Sequence, residues 1–370
     1  VKINQKEEKA LKGDISDFKT GLSHQVPEHP YSFDLDIFGE KSIFQFIERT
    51  VTCLGEARLA QSLTSGNQEP AKILERQEAI KELASLIDWR QSFISWGQKW
   101  EESADEAQKL TEWIKAPTHI QQKSGYKWLL WIFPLITLLM LVLSVIGILP
   151  YQIVVFLSLI QLIIVASHFQ IFLKHSQQIS KKSKFLKKYA LLNEQIEQQE
   201  FQSPLLLRLQ SQLTHSGISS KEMKKLAQII DYMEQGLSLV GVIFNGLFMW
   251  SLQYLYQLEK WQVQYREHLD DWLLVNAVFD ELNGLANMSH NYPKFVMPRI
   301  HPDHFELKAQ SLGHPLIDES QRVNNDIHLK ETGQLIIITG ANMAGKSTFL
   351  RTVGVNLILA MLGAPVCAEE

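Results

Sequence analysis

The chain has 370 residues and a formal net charge of −4, from 36 basic and 40 acidic side chains. This length accommodates two or three domains with hydrophobic cores, and the charge excludes a globally basic protein built around nucleic-acid binding. Its two cysteines, Cys53 and Cys367, exclude a disulfide-rich secreted scaffold and favour a reducing compartment.

The first 120 residues predict a polar segment followed by an amphipathic helical region. Residues 1–30 are polar, whereas apolar residues recur at helical spacing from Ile43 onward. After a short break the helical pattern resumes over Ala71–Trp89. We therefore predict an N-terminal polar segment at 1–30 and a helical core at 31–120.

Residues 121–175 predict a transmembrane helical hairpin. Trp128–Leu149 contains 22 residues and no charged side chain, and as a helix it would be about 33 Å long, enough to cross a bilayer core. A break at Pro150 separates it from a second apolar run, Ile153–Leu173. A pair of buried core helices is the alternative, but the length, adjacency and basic flanks of the two runs favour a membrane.

Lysines flank both ends of the hairpin, which predicts that both ends are cytoplasmic. Two partners suit these lysines, nucleic acid or anionic lipid, and their position beside a predicted span favours lipid headgroups. We therefore expect a multi-pass membrane protein with two spans, which contacts lipid through 128–173. The flanking lysines are Lys123, Lys127, Lys174, Lys181, Lys182, Lys184, Lys187 and Lys188.

Residues 176–298 predict further helices. The uncharged stretch Gly236–Leu258 is long enough to span a membrane, but one more crossing would move the following nucleotide-binding segment away from cytosolic ATP. We therefore predict a buried core helix there. Lys260–Met288 predicts a long helix with a near-heptad packing stripe. The stripe consists of Trp272, Val275, Phe279, Leu282 and Ala286.

A phosphate-binding loop is predicted near the end of the chain. Leu335–Thr339 is an apolar, β-branched run typical of a buried parallel strand, and Ser347–Leu362 has helical spacing. A G-x-x-x-x-G-K-[ST] motif lies between them, where backbone amides and a helix N-terminus can face an anion. A chance glycine-rich turn is the alternative, and the order of strand, loop, Lys-Ser and helix argues against it. The motif consists of Gly340, Ala341, Asn342, Met343, Ala344, Gly345, Lys346 and Ser347.

The motif assigns roles to its residues and predicts ATP and Mg²⁺ as ligands. Lys346 would place its charge on the β- and γ-phosphates, and the Ser347 hydroxyl would bind Mg²⁺. The amides of Asn342–Ser347 would cradle the phosphates, and Asn342 would also reach the γ-phosphate. A Walker B carboxylate pair does not follow before Glu370. We therefore expect a fragment of a longer protein, with the catalytic residues beyond its end.

The loop TGANMAGKSTFLR closely resembles that of the MutS family of mismatch-repair ATPases, in which Asn-Met and the Ser347-Thr348 pair recur. Gly313–Leu316 resembles the Gly-x-His-Pro element that opens the MutS ATPase domain. Val323–Ile327 resembles the segment before its first strand. In that family an aromatic and an aliphatic residue flank adenine. Arg322 and Val323 occupy these positions here, and a guanidinium plane can replace the aromatic ring.

The resemblance extends more loosely to the helical regions. The run from 272 to 298 resembles the end of the MutS lever, and 299–370 then forms the start of an α/β P-loop domain. The fold class is thus mainly α, with a MutS-like core and lever and an inserted hairpin. Any amphipathic bundle is the alternative for the core. The core residues that match the family are Thr52, Gly55, Leu59, Arg76 and Gln77.

The resemblance implies a homodimer with composite ATP sites and ATP-dependent binding of mismatched or structured DNA by the intact protein. MutS mismatch-repair enzymes are soluble, so the hairpin departs from the family. A membrane-tethered P-loop ATPase scaffold acting on a protein or lipid partner without DNA is the first alternative. A soluble ATPase whose apolar runs are core is the second.

Overall fold

The structure is a computed structural model that describes residues 1–66, 69–120, 124–179, 182–215, 217–301, 304–341 and 345–370. These residues are mainly helical, which confirms the predicted predominance of α-structure. The elements are α1 (Lys2–Leu11), α2 (Ile43–Ile47), α3 (Cys53–Ser65), α4 (Pro70–Ser85), α5 (Ile87–Gly97), α6 (Ala104–Lys115), α7 (Ser124–Val145), α8 (Gln152–Ser167), α9 (Phe169–Ile179), α10 (Ser183–Gln198), α11 (Pro204–Thr214), α12 (Ser219–Gln235), α13 (Leu239–Phe248), α14 (Trp250–Tyr265), α15 (Leu269–Asn291), β1 (Leu307–Leu312), β2 (Asn325–Leu329) and α16 (Lys346–Met361).

The chain forms two compact units, each with a buried apolar core. Unit 1 contains the C-terminal segment with the predicted loop, and unit 2 contains the predicted hairpin. Unit 1 consists of Val1–Lys99, Gln198–Gln212 and Leu274–Glu370, and unit 2 consists of Trp100–Glu197 and Leu213–Leu273.

The long helix α15 supplies much of the core of unit 1. Its stripe residues Val275, Phe279, Leu282 and Ala286 are fully buried, which confirms their predicted packing role. The ring of Phe279 lies 5.9 Å from that of Trp89, measured between centroids. The predicted single helix over Lys260–Met288 is wrong at its start. The chain breaks between α14 and α15, and this allows Trp261 and Tyr265 of α14 to pack against Trp272 of α15.

The helical pattern predicted from Ile43 is also interrupted, because α2 ends at Ile47 and α3 begins at Cys53. Two buried carboxylates explain the break. Glu48 accepts a hydrogen bond from the backbone N–H of Thr50, and Asp280 accepts from those of Val51 and Thr52. These amides are therefore satisfied outside a helix, and the Thr52 side chain caps α3 by accepting from the amide of Gly55.

In unit 2, α7 and α8 pack against each other and against α13. By length and composition, one described helix can cross a membrane by itself, over Trp128–Val145. Two bent pairs meet the same criterion only when joined, so the described chain has up to three candidate spans. These pairs are α8 with α9, bent by 59°, and α13 with α14, bent by 80°.

The second predicted span is therefore two helices rather than one straight helix. The break follows Ser167, whose hydroxyl donates to the carbonyl oxygen of Ile164 at 2.7 Å. The Nδ1 atom of His168 lies 3.0 Å from the same carbonyl oxygen. Both side chains thus compete with the backbone ladder at this point, which ends α8 before Phe169 starts α9.

The prediction of one buried core helix over Gly236–Leu258 is wrong. Met249 has φ 53°, in the left-handed region, and separates α13 from α14. The amide of Ser251 donates to Oδ1 of Asn245, which satisfies a backbone group freed by the break. The apolar residues of α14 that face the core are buried, but those of α13 are exposed: Leu239 by 90%, Val240 by 57%, Val242 by 53% and Ile243 by 62%.

The basic flank of the hairpin is smaller than predicted. Lys182 and Lys188 are buried, and Nζ of Lys188 pairs with the buried carboxylate of Glu102 at 2.8 Å. Because Lys182 and Lys188 are both buried, neither side chain can face lipid headgroups. Lys174 and Lys184 are exposed. Outside the described residues lie Lys123, Lys181 and the side chain of Lys127.

Candidate functional site

The N-terminus of α16 is the centre of the candidate site. The helix begins at Lys346, and Gly345 precedes it with φ 81°, a left-handed conformation that glycine adopts without strain. The first turn carries no acidic side chain, so its free amides and the helix dipole leave this end electropositive. This end of the helix is therefore chemically suited to an anion.

Lys346 contacts the two described residues that begin the motif, Gly340 and Ala341. Its Nζ atom donates to the carbonyl oxygens of Gly340 and Ala341, both at 2.7 Å. Ser347 and Thr348 follow in the first helical turn and are exposed. The predicted loop residues Asn342, Met343 and Ala344 lie outside the described residues, and their roles stay predictions.

The prediction of a strand before the loop is wrong. Residues 335–339 form no strand among the described parts of the chain, and Leu335 and Ile337 are 84% and 76% exposed. A buried parallel strand needs neighbouring strands for its hydrogen bonds. The described sheet has β1 paired antiparallel with β2 and offers no strand next to 335–339.

A cavity of about 640 Å³ opens beside the N-terminus of α16. It brings together four segments that are separate in sequence: the start of α16, the segment around His314, the segment around Val323 and the pair Ile338–Thr339. Of the predicted site residues, Gly345, Lys346, Thr348 and Val323 line it, and Ser347 does not. The other lining residues are His314, Ile317, Gln321, Arg322, Asn325, Asp326, Ile338, Thr339, Phe349 and Thr352.

Arg322 lies on one wall of this cavity. Its Nε atom donates to Oδ1 of Asn324 at 3.0 Å, and its aliphatic stem lies over Gly313. A Cβ atom on Gly313 would come within 2.5 Å of Cδ and Nε of Arg322, so a side chain at 313 would displace the arginine from this position. Arg322 and the exposed Val323 line the same cavity, and their role beside a base stays a prediction.

Asn356, which the sequence analysis missed, ties α16 to two neighbouring segments. Its Nδ2 atom donates to the carbonyl oxygen of Gly313 at 2.9 Å, and its Oδ1 atom accepts from the amide of Cys367 at 2.8 Å. An asparagine in the apolar run VGVNLILAM is the signal that was available, because a buried amide side chain requires hydrogen-bond partners.

Arg351 was also missed, and it anchors α16 to the segment before α2. Its Nε atom donates to the carbonyl oxygen of Asp34 at 2.8 Å, and NH1 pairs with Oδ2 of Asp36. Beside this contact Leu35 packs onto Gly354, where a Cβ would come within 2.7 Å of Leu35 Cδ2. The close approach therefore depends on glycine at 354.

The other end of α16 is held by Arg76. The Nε atom of Arg76 donates to the carbonyl oxygen of Leu362 at 2.7 Å, and NH2 donates to Oε1 of Glu281 at 2.6 Å. Glu281 lies on α15 and also accepts from Nε of Arg58 at 2.9 Å. The sequence singled out Arg76 but not this buried acidic partner.

Burial sets the charge states of two groups in this region. It lowers the pKa of His314, and the positive charge of Arg351 lowers it further, so the ring is neutral at pH 7. The Nδ1 atom of His314 accepts from the amide of Leu316 at 3.3 Å. Burial also raises the pKa of the Cys367 thiol, which remains protonated.

Comparison with known proteins finds a family match for the C-terminal segment. The model of MutS domain V matches residues 336–370. The DNA mismatch repair protein MSH2 of Saccharomyces cerevisiae is 31% identical over 164 residues, which is 41% of this chain and 16% of that protein. The DNA mismatch repair protein MutS of Chloroflexus aurantiacus is 36% identical over 109 residues, which is 28% of this chain and 11% of that protein.

The chain is similar in sequence to proteins of the MutS family. Endonuclease MutS2 of Pediococcus pentosaceus also matches, with 33% identity over 116 residues, covering 31% of this chain and 14% of that protein. This MutS-related chain thus aligns with a small share of each relative's length. The resemblance depends on three sequence elements, and described residues of each line one cavity: Gly345 and Lys346 of the loop, His314 of the Gly313–Leu316 element, and Val323.

Proposed function

We propose that this chain is part of a membrane-anchored, MutS-like ATPase in which ATP controls the binding of mismatched or structured DNA. The cavity at the N-terminus of α16 carries the proposal, because it unites Lys346, His314, Arg322 and Val323. The curated relatives named for DNA mismatch repair support the DNA component.

The residues present fit a nucleoside triphosphate with its metal ion. Mg–ATP supplies the phosphoanhydride bond whose cleavage drives the cycle. Lys346 would exchange its bonds to the carbonyl oxygens of Gly340 and Ala341 for phosphate oxygens, which are stronger charge-assisted acceptors. The Ser347 hydroxyl would contribute one metal ligand, and Arg322 would face the base.

The burial pattern of α7 and α8 supports the membrane component. Gln161 and Thr137 are buried between the two helices, and Nε2 of Gln161 donates to the hydroxyl of Thr137. Large apolar side chains point outward instead, as shown by Leu135 at 67% and Ile163 at 69% exposure. Polar groups inside and apolar groups outside is the arrangement that lipid favours, because hydrocarbon cannot hydrogen-bond to a side chain.

The topology that we propose places unit 1 on the cytoplasmic face, where ATP is available. Trp128, Trp131 and Tyr151 are exposed near the predicted ends of the hairpin, as expected for side chains at the headgroup level. By family resemblance, two copies would pair through their ATPase domains and form composite ATP sites.

ATP turnover of the full-length protein in lipid nanodiscs tests the proposal, measured with homoduplex, mismatched or branched DNA and without DNA. We expect DNA to change the turnover rate. We also expect Lys346→Ala to weaken ATP binding about 10- to 100-fold, since hydrogen bonds to charged groups contribute about 1.5–3 kcal/mol. Lys330→Ala is the matched control, because Lys330 is exposed and lies outside the cavity lining.

The experiment tests the nucleotide site and the response to DNA separately. Unchanged ATP affinity in Lys346→Ala would contradict the assignment of the nucleotide site. Turnover that depends on Lys346 but ignores every DNA would favour the alternative function, a membrane-tethered ATPase scaffold that acts on a protein or lipid partner. The exposed apolar surface of the hairpin supports this second candidate, because contact with a membrane does not by itself require DNA.

Arg322 provides a test of base recognition. We expect Arg322→Ala to weaken ATP binding about 2- to 30-fold, because stacking of a guanidinium on an aromatic system contributes about 0.5–2 kcal/mol. Arg322→Tyr should retain affinity through ring stacking. Binding of inorganic tripolyphosphate, which has no base, should be the same in all three proteins. An equal loss for both ligands would show that Arg322 acts on the phosphates instead.

A further inference from the structure

The apolar surface of unit 2 extends beyond the predicted hairpin onto α13. No charged residue occurs between Glu234 and Glu259 in the sequence. Leu239, Val240, Val242 and Ile243 expose more than half of their surface. A row of large aliphatic side chains on one helix face is unfavourable in water, so something apolar must cover it.

This face is continuous with the helices that are proposed to lie in lipid. Helix α13 packs on both α7 and α8. At Gly246 an added Cβ would lie 3.6 Å from Cγ of Leu162 and 3.7 Å from Cβ of Ser158, so glycine brings α13 and α8 close together. Small residues at such crossings are typical of helices that pack within membranes.

The length of α13 excludes a full crossing by this helix alone. Its 10 residues give about 15 Å of helix, roughly half of a bilayer core. The chain then turns by 80° into α14, where Glu259 is fully buried inside the protein. By itself, a helix of this length cannot carry the chain to the opposite face of a bilayer.

The backbone at the turn is satisfied in a way that hydrocarbon requires. Ser238 caps the start of α13 by accepting from the amide of Gly241 at 3.1 Å. At the other end the buried Asn245 accepts from the amide of Ser251 at 2.8 Å. Non-helical backbone is tolerated at membrane depth where protein groups take its hydrogen bonds.

Aromatic side chains cluster beside the C-terminal end of α13, where the chain turns into α14. Nε1 of Trp250 donates to the carbonyl oxygen of Tyr232 at 2.9 Å. The ring of Tyr254 lies 4.7 Å from that of Trp250 and 4.9 Å from that of Tyr232, measured between centroids. Tryptophan and tyrosine favour the headgroup level, where one part of the ring is apolar and the other meets water.

We propose that α13 is a re-entrant membrane helix whose exposed face contacts lipid acyl chains. It enters one leaflet from the cytoplasmic side beside α7 and α8, and the chain turns back at Met249 and reaches the headgroup level again at Trp250. The proposal rests on the membrane component of the proposed function. It also resolves the topology, because a re-entrant helix adds apolar surface without moving the nucleotide cavity across the membrane.

Fluorophores attached at single cysteines test this in the full-length protein, in nanodiscs with lipids that carry a doxyl quencher on their acyl chains. Cys53 and Cys367 are first replaced by serine. The test position is Val242→Cys, with Ile163→Cys on α8 as the hairpin control and Leu207→Cys, an exposed apolar position on α11, as the control outside the membrane. We expect quenching at 242 and 163 but not at 207.

The test is completed by measuring how deep position 242 lies in the bilayer and on which face positions 235 and 257 lie. A quencher near the headgroup should act more strongly at 242 than one at the chain end, because α13 is too short to pass the middle of the bilayer. In inside-out vesicles, an impermeant thiol reagent should label Gln235→Cys and Gln257→Cys from the same face.

Each outcome decides between the proposals. Quenching at 163 without quenching at 242 would overturn the re-entrant helix and leave the hairpin intact, and would mean that α13 is covered by protein. Labelling of 235 and 257 from opposite faces would make α13 and α14 one bent span. Absence of quenching at both 163 and 242 would overturn the membrane component itself.

Discussion

Replacing Arg76 with alanine is expected to lower the free energy of unfolding of unit 1 by about 3–5 kcal/mol, the range measured when one partner of a buried ion pair is removed. The side chain of Arg76 is 8% exposed and that of Glu281 is fully buried. The variant would leave Glu281 with Arg58 alone and the carbonyl oxygen of Leu362 without its arginine donor. Hydrogen exchange of the α15 amides from 275 to 288, followed by mass spectrometry in nanodiscs, measures the loss.

The same helix offers a matched control. Glu75, which precedes Arg76, pairs with Arg208 at 2.7 Å, but these side chains are 38% and 53% exposed. Exposed pairs contribute about 0–1 kcal/mol, so Arg208→Ala should change α15 protection little. Combining Arg76→Ala with Glu281→Gln should recover part of the loss, since it removes the uncompensated charge. Equal effects of Arg76→Ala and Arg208→Ala would contradict the buried network.

Arg76 also joins the helix of the candidate site, α16, to the long helix α15. The first turn of α16 lines the cavity, and the residue after its last turn, Leu362, is held by Arg76. Arg76 in turn binds Glu281 on α15. A displacement of α16 must therefore either move α15 or break a buried hydrogen bond. This gives a direct physical link between the cavity and the helix that resembles the MutS lever.

The sequence predicted those parts of the fold that depend on local pattern. The apolar stripe of α15 repeats at helical spacing, and the residues in it are buried as predicted. The start of α16 was also predicted, because glycine before Lys-Ser marks a helix N-terminus. The helix breaks at Ser167 and Met249 were missed. They depend on side chains that capture backbone groups, and an apolar run does not reveal these.

For the candidate site, too, the sequence predicted some residues and missed others. The motif predicted Lys346 and Gly345 at the helix start, and the family resemblance predicted that Val323 lies near them. Asn356 and Glu281 were missed because their partners are 43 and 205 residues away. Such pairs are fixed by tertiary packing, which periodicity within one element cannot show. The predicted strand at 335–339 failed for a related reason, since a strand depends on neighbours in space.

Asp280 is expected to make unit 1 less stable as pH rises from about 4 to 7. Burial raises the pKa of its carboxyl group to about 7, with hydrogen bonds from Thr52 and Val51 opposing the shift. An unfolded aspartate ionises near pH 3.9, so between about pH 4 and 7 the folded state holds a proton that the unfolded state has released. Stability from this group is complete below that range and is lost as pH rises.

Hydrogen exchange of α15 at two pH values measures this effect, with each rate divided by the intrinsic rate at the same pH. Between about pH 5.5 and 8, the wild-type protein should lose about 2 kcal/mol more than Asp280→Asn, which cannot titrate. The comparison also removes the contribution of Glu48, whose pKa burial raises as well. An identical pH dependence in both proteins would show that Asp280 stays ionised in the fold, held by its donors.

Asp280→Ala distinguishes the contribution of Asp280 titration to stability from that of the hydrogen bonds that its side chain accepts. The carboxylate accepts from the amides of Val51 and Thr52 and from the Thr52 hydroxyl, which also caps α3. Removing the acceptor should cost at least about 3 kcal/mol at either pH, since each buried donor without a partner costs about 1–3 kcal/mol. Asp280→Asn keeps one acceptor oxygen and should lose less. If both variants lose the same amount at pH 5.5, the hydrogen bonds to Val51 and Thr52 contribute little to stability.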